Sequence, residues 1–506
     1  MTDMLFHNAR VRTMDPARPT ARAVLVRDGV IAAVGDARPL AAMVPDAERV
    51  DCNGATLLPA FIDAHCHLLA TAAALCSVDC SPAAVRSIAE IQSRLRDAAA
   101  RLAPGAWLRA AGYDESRLAE RRHPTRRDLD AAVPHVPVRL LHRSGHAAVL
   151  NSLAMRLSGV TNETPEPPGA VIDRFLDDGT PSGLLLEMND VVDRAVPPLP
   201  YDELASAVAE VAARYLAAGV TAVCDATHTN GRAEWELFAR LQAGGHLPLD
   251  VTLMEGAAHA GEPGGPSGMP AVTTGPLRRG HVKIMLSEAG GLTPGEHELA
   301  RIVRDLHDAG RDVSVHAVEE RAVAAALGAI EAALRARPRP HRHRIEHAAL
   351  LPRGAACAIA RAGITIVTQP AFVYHSGDRY LRDVPPEKHA RLYPIASLFR
   401  AGVRVAASTD APVVTPSPFE GIAAATERRT SSGAVLGQRQ ALSLRRALAM
   451  WTSEAAWAIG AEGERGRVAP GMAADVVLVA GVGVEARVLA TYHRGRQGWA
   501  ATHRRT

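Results

Sequence analysis

Lys283, His316, His347 and Asp410 stand 33, 31 and 63 residues apart, and each lies in or closes a short β-like run. A strand, a helix and their two connecting loops use about thirty residues, so this period is what alternating β and α elements produce. The runs are residues 282–286, 312–315, 344–346 and 403–409, and the double interval before Asp410 holds another at 364–370. Residues 57–62, 219–225 and 249–254 bring the count to eight. Eight such units predict an α/β chain folded as a (β/α)8 TIM-type barrel, in which the strand C-termini converge on one face and bring distant residues together.

Between His67 and the second strand near 220 lie some 150 residues, about five times what one unit requires. A helical pattern over 83–102, a strand candidate at 136–141 and a turn-rich piece at 165–169 fill part of it. The sequence therefore predicts an inserted α/β subdomain over 73–199, placed at the barrel mouth to shape substrate access. Residues 23–35 read as a hairpin turning at Asp28-Gly29, and residues 475–479 and 487–492 as further strands. Neither chain end is long enough to bury a core alone. Together they predict a composite β-sandwich of 1–58 and 457–506, which leaves 59–72 and 200–456 to the barrel.

Lys283 is one of two lysines among 57 basic residues. Arginine stays protonated, whereas a buried lysine amine can lose its proton and take up carbon dioxide as a carbamate, a bidentate oxygen ligand able to bridge two metal ions. An isolated strand lysine ordinarily snorkels its ammonium to water; here the neighbours favour the other reading. His65 and His67 are two apart in an extended run and present two imidazoles on one face, while Cys66 points the other way into packing.

These residues carry a resemblance. The stretches 59–67, Val282-Lys283, Val315-His316-Ala317, 344–348 and 408–412, with 107–114, 143–147 and 470–476, resemble metal-dependent amidohydrolases of the amidohydrolase-3 branch, which includes YtcJ-like proteins and N-substituted formamide deformylases. Two departures stand out: Pro59-Ala60 replaces the usual Pro-Gly, and residues 285–291 replace the usual Asp-Gly after the lysine, beside the site. The resemblance implies two divalent ions, one held by His65, His67 and Asp410 and one by His316 and His347, with carbamylated Lys283 bridging. Imidazole and carboxylate ligands suit zinc, with iron, manganese or cobalt as options. It further implies attack by a metal-activated hydroxide on a non-peptide carbon–nitrogen bond (amide, N-formyl, N-acyl or cyclic amide) with Asp410 as base and then acid, so that Asp410 and Lys283 are the catalytic residues. The same scaffold also suits a non-hydrolytic lyase, isomerase or decarboxylase, or a non-catalytic binding homologue.

His228, Glu255, Gln369 and Tyr374 follow or close predicted strands on the side of the pocket and are candidates to touch substrate; His146, in the insertion, is either a substrate contact or a structural hydrogen bonder. His341-Arg342-His343 repeats the His-x-His pattern, but its Arg- and Pro-rich surroundings predict an exposed loop rather than a metal site. A net charge of +3 with dispersed arginines argues against a nucleic-acid partner, and no apolar run approaches a membrane span. Six cysteines lack a secreted framework, and no signal segment stands at the N-terminus, so cytoplasm is the expected compartment. The expected partner is a small amide-type molecule, with the oligomeric state open and a homodimer among the options.

Overall fold

Eight parallel strands lie where the thirty-residue period puts them: β1 (Phe61–Cys66), β2 (Val220–Asp225), β3 (Asp250–Gly256), β4 (Leu277–Ile284), β5 (Val313–Ala317), β6 (Arg344–His347), β7 (Thr365–Thr368) and β8 (Val405–Ala407). The structure is a computed structural model that describes residues 3–262, 275–288, 291–481 and 485–501; Ala289 and Gly290, within the segment that departs from the family pattern, lie outside the described residues. Each strand pairs with its sequence neighbour. The ring nearly closes where β8 runs beside β1, and just past it the Asp410 amide donates to the His65 carbonyl at 2.9 Å. The strands read as nearly unbroken apolar runs because both faces are covered. The helix Glu320–Ala336, for example, buries Ala322, Val323, Ala326, Leu327, Ala329, Ile330 and Ala333, one stripe at helical period.

The chain divides into two structural units, Met1–His67 with Val211–Met285 and Glu296–Thr506, and Leu68–Glu210 with Leu286–Gly295. Besides the barrel, the first unit holds two small sheets. One contains Met4–His7, Ala23–Arg27, Val30–Gly35 and Glu48–Asp51. Its hairpin turns at Asp28 and Gly29, with φ of 48° and 77°, the left-handed pair that a two-residue turn of this kind requires. In the other sheet Val476–Ala480 pairs antiparallel with Thr56–Pro59, the strand that leads directly into β1. Phe6, Val24, Ile31, Leu57, Val476 and Tyr492 share the core of this sandwich.

The second unit is built on a six-stranded mixed sheet, in the order Val171–Arg174, Pro181–Leu186, Ala147–Leu150, Val138–His142, Leu108–Tyr113 and Val78–Asp79. The helix predicted over 83–102 is shorter, Ile88–Ala99, because the Ser87 side chain accepts from the Glu90 amide and fixes the first turn there. A second correction concerns residues 341–343. His343 is fully buried, and the segment is a packed lead into β6 instead of an exposed loop. None of the described helices is long and apolar enough to cross a membrane.

Candidate metal centre

His65 stands near the end of β1 and His67 just past it, both directed toward Asp410. His65 Nε2 lies 3.4 Å and His67 Nε2 3.2 Å from Asp410 Oδ1. The other ring nitrogens are spent, His65 Nδ1 on Glu346 Oε2 at 2.6 Å and His67 Nδ1 on Thr227 Oγ1 at 2.8 Å. If those two nitrogens carry the protons, the facing Nε2 atoms carry lone pairs. Two lone pairs and a carboxylate oxygen then converge on one point, an arrangement that repels itself unless a cation sits between them. Ligand atoms about 2.0–2.1 Å from a tetrahedral zinc stand roughly 3.3 Å apart, and the observed separations bracket that value.

His347 and His316 adjoin this group. The His347 ring centroid is 5.0 Å from that of His65 and 4.4 Å from that of His316, so four imidazoles form one cluster. His347 donates from Nδ1 to Gln369 Oε1 at 2.9 Å, and its buried Nε2 has no hydrogen-bond partner among the described residues. Burial pushes the ring down to about 3, so it stays neutral with that lone pair bare. Lys283, 2% exposed, is within electrostatic reach of His65, His347 and Asp410, and its Nζ likewise has no hydrogen-bond partner among the described residues. Burial depresses the ammonium, which favours the neutral amine that carbamate formation needs. Burial opposes ionisation of Asp410, yet His65 and His67 hold its carboxyl well below the usual range. An orphaned amine, an orphaned ring nitrogen and a converging His-His-Asp triad fit divalent metal ions.

The backbone is bent to make this possible. His347, Ala348 and Asp410, at two of the strand ends, have φ of 69°, 45° and 59°, uncommon for residues with a Cβ. Asp63 secures one of them: its carboxylate accepts from the Thr409 amide at 3.0 Å, from the Thr409 hydroxyl and from Tyr215 at 3.2 Å. Asp410 is thereby tied to β1 from two directions.

The candidates for substrate contact are placed differently. Gln369 is fully buried and is committed to His347 and to Ser408 Oγ, 3.0 Å from its amide nitrogen, so it positions a ring. Glu255 pairs in register with Val282, one residue out of phase with Lys283, and therefore leaves β3 on the opposite face, where it forms an ion pair with Arg311 at 3.0 Å. His228 is exposed in the loop after β2, and Tyr374 is 44% exposed on the helix Phe372–Asp383. His146, on the second unit, pairs with Glu187 at 3.0 Å.

Sequence reasoning gave no role to Glu346, Arg344, Ser314, Thr227 or Asp63. Glu346 accepts from His65, from Ser314 Oγ at 2.6 Å and from Arg344, all buried. The available signal was Arg344-Ile345-Glu346-His347 itself, since charges in a covered strand must find partners.

A near-closed parallel barrel with histidines, an aspartate and a buried lysine gathered at its strand C-termini defines a class, the metal-dependent hydrolases built on the TIM-type fold. Comparison with known proteins makes it specific. The sequence profile of the Amidohydrolase family matches residues 48–497, and the chain belongs to that family and is a hydrolase acting on carbon–nitrogen bonds. It is 32% identical to the N-substituted formamide deformylase of Arthrobacter pascens over 95% of this chain and 93% of that protein, and 27% identical to the putative amidohydrolase YtcJ of Bacillus subtilis (strain 168) over 94% of each. Among solved structures, an uncharacterized metal-dependent hydrolase from Pyrococcus horikoshii OT3 superposes with a TM-score of 0.76 at 22% identity, covering 98% of this chain and 100% of that one, which establishes the shared fold.

Proposed function

We propose that the chain hydrolyses a non-peptide amide-type bond of a small molecule (N-formyl, N-acyl or cyclic) using two divalent ions, zinc by ligand type. His65, His67 and Asp410 would hold one ion and His316 and His347 the other, and Lys283, once its neutral amine has added carbon dioxide and released a proton, would offer carbamate oxygens to both. When bound, the ions supply Lewis-acid polarisation of the carbonyl and lower the pKa of water toward neutrality. Asp410, kept ionised by its neighbours and fixed through the His65 carbonyl, takes the proton of the attacking water and returns it to the leaving nitrogen, which then departs as a neutral amine. His347, held neutral by burial and oriented by Gln369, keeps its Nε2 lone pair directed into the centre.

The observation that carries this reading is the pair of buried orphans, Lys283 Nζ and His347 Nε2, beside the His-His-Asp triad. In the same reading the chain comprises a composite sandwich (1–58 and 457–506), a hydrolase barrel (59–72 and 200–456) and an insertion (73–199), and works in the cytoplasm. The test is metal analysis of the purified protein together with amine release from a panel of amides, beginning with N-substituted formamides because of the Arthrobacter relative. About two ions per chain and turnover of at least one amide class are expected; a chain that binds no divalent metal, or loaded protein that opens none of these bonds, would refute it.

A further inference from the structure

The two metal positions proposed above have different support behind their imidazoles. Behind His65 stands Glu346, fully buried, accepting the Nδ1 proton at 2.6 Å. Arg344, equally buried, contacts both oxygens of Glu346 and donates onward to the Ala64 and Ala458 carbonyls at 2.8 and 3.1 Å. Behind His347 stands Gln369, whose amide oxygen accepts at 2.9 Å and whose nitrogen is anchored by Ser408. One ring thus leans on a carboxylate, the other on a neutral amide.

We infer that these partners make the two positions unequal: the His65, His67 and Asp410 position fills first and holds its ion more tightly, with Glu346 and Gln369 as the positioning residues that set the order. The inference rests on the two-ion reading. A carboxylate behind a ligating imidazole raises the basicity of the coordinating nitrogen more than an amide does, and such partners are worth about 10–100-fold in metal affinity. The same position also has Asp410 as a directly ligating carboxylate, already 3.2–3.4 Å from both ring nitrogens. A buried Arg–Glu pair is seldom a net gain in stability, because both charges must be stripped of water. Under His65 the pair acts instead on the imidazole it supports.

The experiment is a zinc titration of metal-depleted full-length protein against a competing chelator, with bicarbonate present to support the lysine carbamate. Two steps separated by at least about tenfold are expected in the wild type. His67→Asn removes the tighter step and His316→Asn the weaker, which assigns them. Glu346→Gln weakens the tighter step by about 10–100-fold and leaves the weaker in place. Gln369→Glu tightens the weaker step by about tenfold while leaving the Arg344–Glu346 pair intact, so it decides the matter even if Glu346→Gln does not fold. Steps of equal affinity in the wild type, loss of the weaker step in His67→Asn, or an unmoved weaker step in Gln369→Glu would each overturn the inference. A protein that takes up no zinc would remove the two-ion reading itself, a result distinct from all of these.

Discussion

Two sets of buried or half-buried histidines occupy the two ends of the barrel strands, and they differ in what their ring nitrogens do. At the C-terminal ends His65, His67 and His347 each spend Nδ1 on a side chain, and their Nε2 atoms face Asp410 or, for His347, have no hydrogen-bond partner among the described residues. At the N-terminal ends every nitrogen of His307 and His343 is used: the Val313 amide donates to His343 Nδ1, His343 Nε2 donates to His307 Nδ1 at 2.8 Å, and His307 Nε2 donates to the Arg337 carbonyl at 2.7 Å. This relay closes with both rings neutral. His281, also buried, gives its Nε2 proton to the Arg342 carbonyl at 2.8 Å. Burial of an imidazole therefore does not mark a site; an unspent lone pair does.

The largest effect should come from the reacting end. Asp410→Asn keeps a ligating oxygen but cannot take up a proton, so turnover should fall by about 10²–10⁴ with metal content retained; wild-type turnover in that variant would remove Asp410 from the proton path. Lys283→Ala should lower the metal content of purified protein below two ions per chain, with partial recovery in a short-chain carboxylic acid. Full loading without any acid would mean the lysine is a packing residue after all.

The opposite end should answer in stability. His343→Ala strands the Val313 amide and His307 Nδ1, at about 1–3 kcal/mol for each group left unsatisfied, and should lower the urea midpoint while metal bound per folded chain stays unchanged. Metal loss in that variant would erase the distinction between the two sets. The smallest effect is on pH dependence. Burial pushes His281 down to about 4 from an ordinary 6.5, so between those values the unfolded chain binds a proton that the native chain excludes. Stability from this group is complete above about pH 6.5 and declines as the pH falls toward 4, and His281→Asn should flatten the pH slope of unfolding by up to about one proton. An unchanged slope would show that His281 is protonated in the fold.

The strand period was legible because a βα unit has a nearly fixed length, and the residue types at the strand ends were legible because few side chains can ligate a metal. Contacts made across the barrel were not. Glu346 sits in a stretch read for its histidine, yet its partner His65 is 281 residues away. Glu255 lies at the right end of its strand, but an extra residue in β4 between Arg279 and Val282 puts it out of phase with Lys283, and it pairs with Arg311 instead. His343 lies among arginines and prolines that suggest a solvated turn, yet it is buried against His307 of the helix Glu296–Asp308, with the Val313 amide on its other nitrogen. In each case the local pattern was sound and a tertiary partner decided the outcome.

The antiparallel pairing of Val476–Ala480 with Thr56–Pro59 has a consequence for biosynthesis. The strand that feeds His65 into the centre is completed by a segment translated some 420 residues later, and Asp410 too emerges long after the histidine pair. On the ribosome the early histidines must wait for partners not yet made. Metal capture is then a late event in the life of the nascent chain, and a polypeptide stopped short of residue 476 would leave the ribosome with Thr56–Pro59 lacking its antiparallel partner just ahead of the histidine pair.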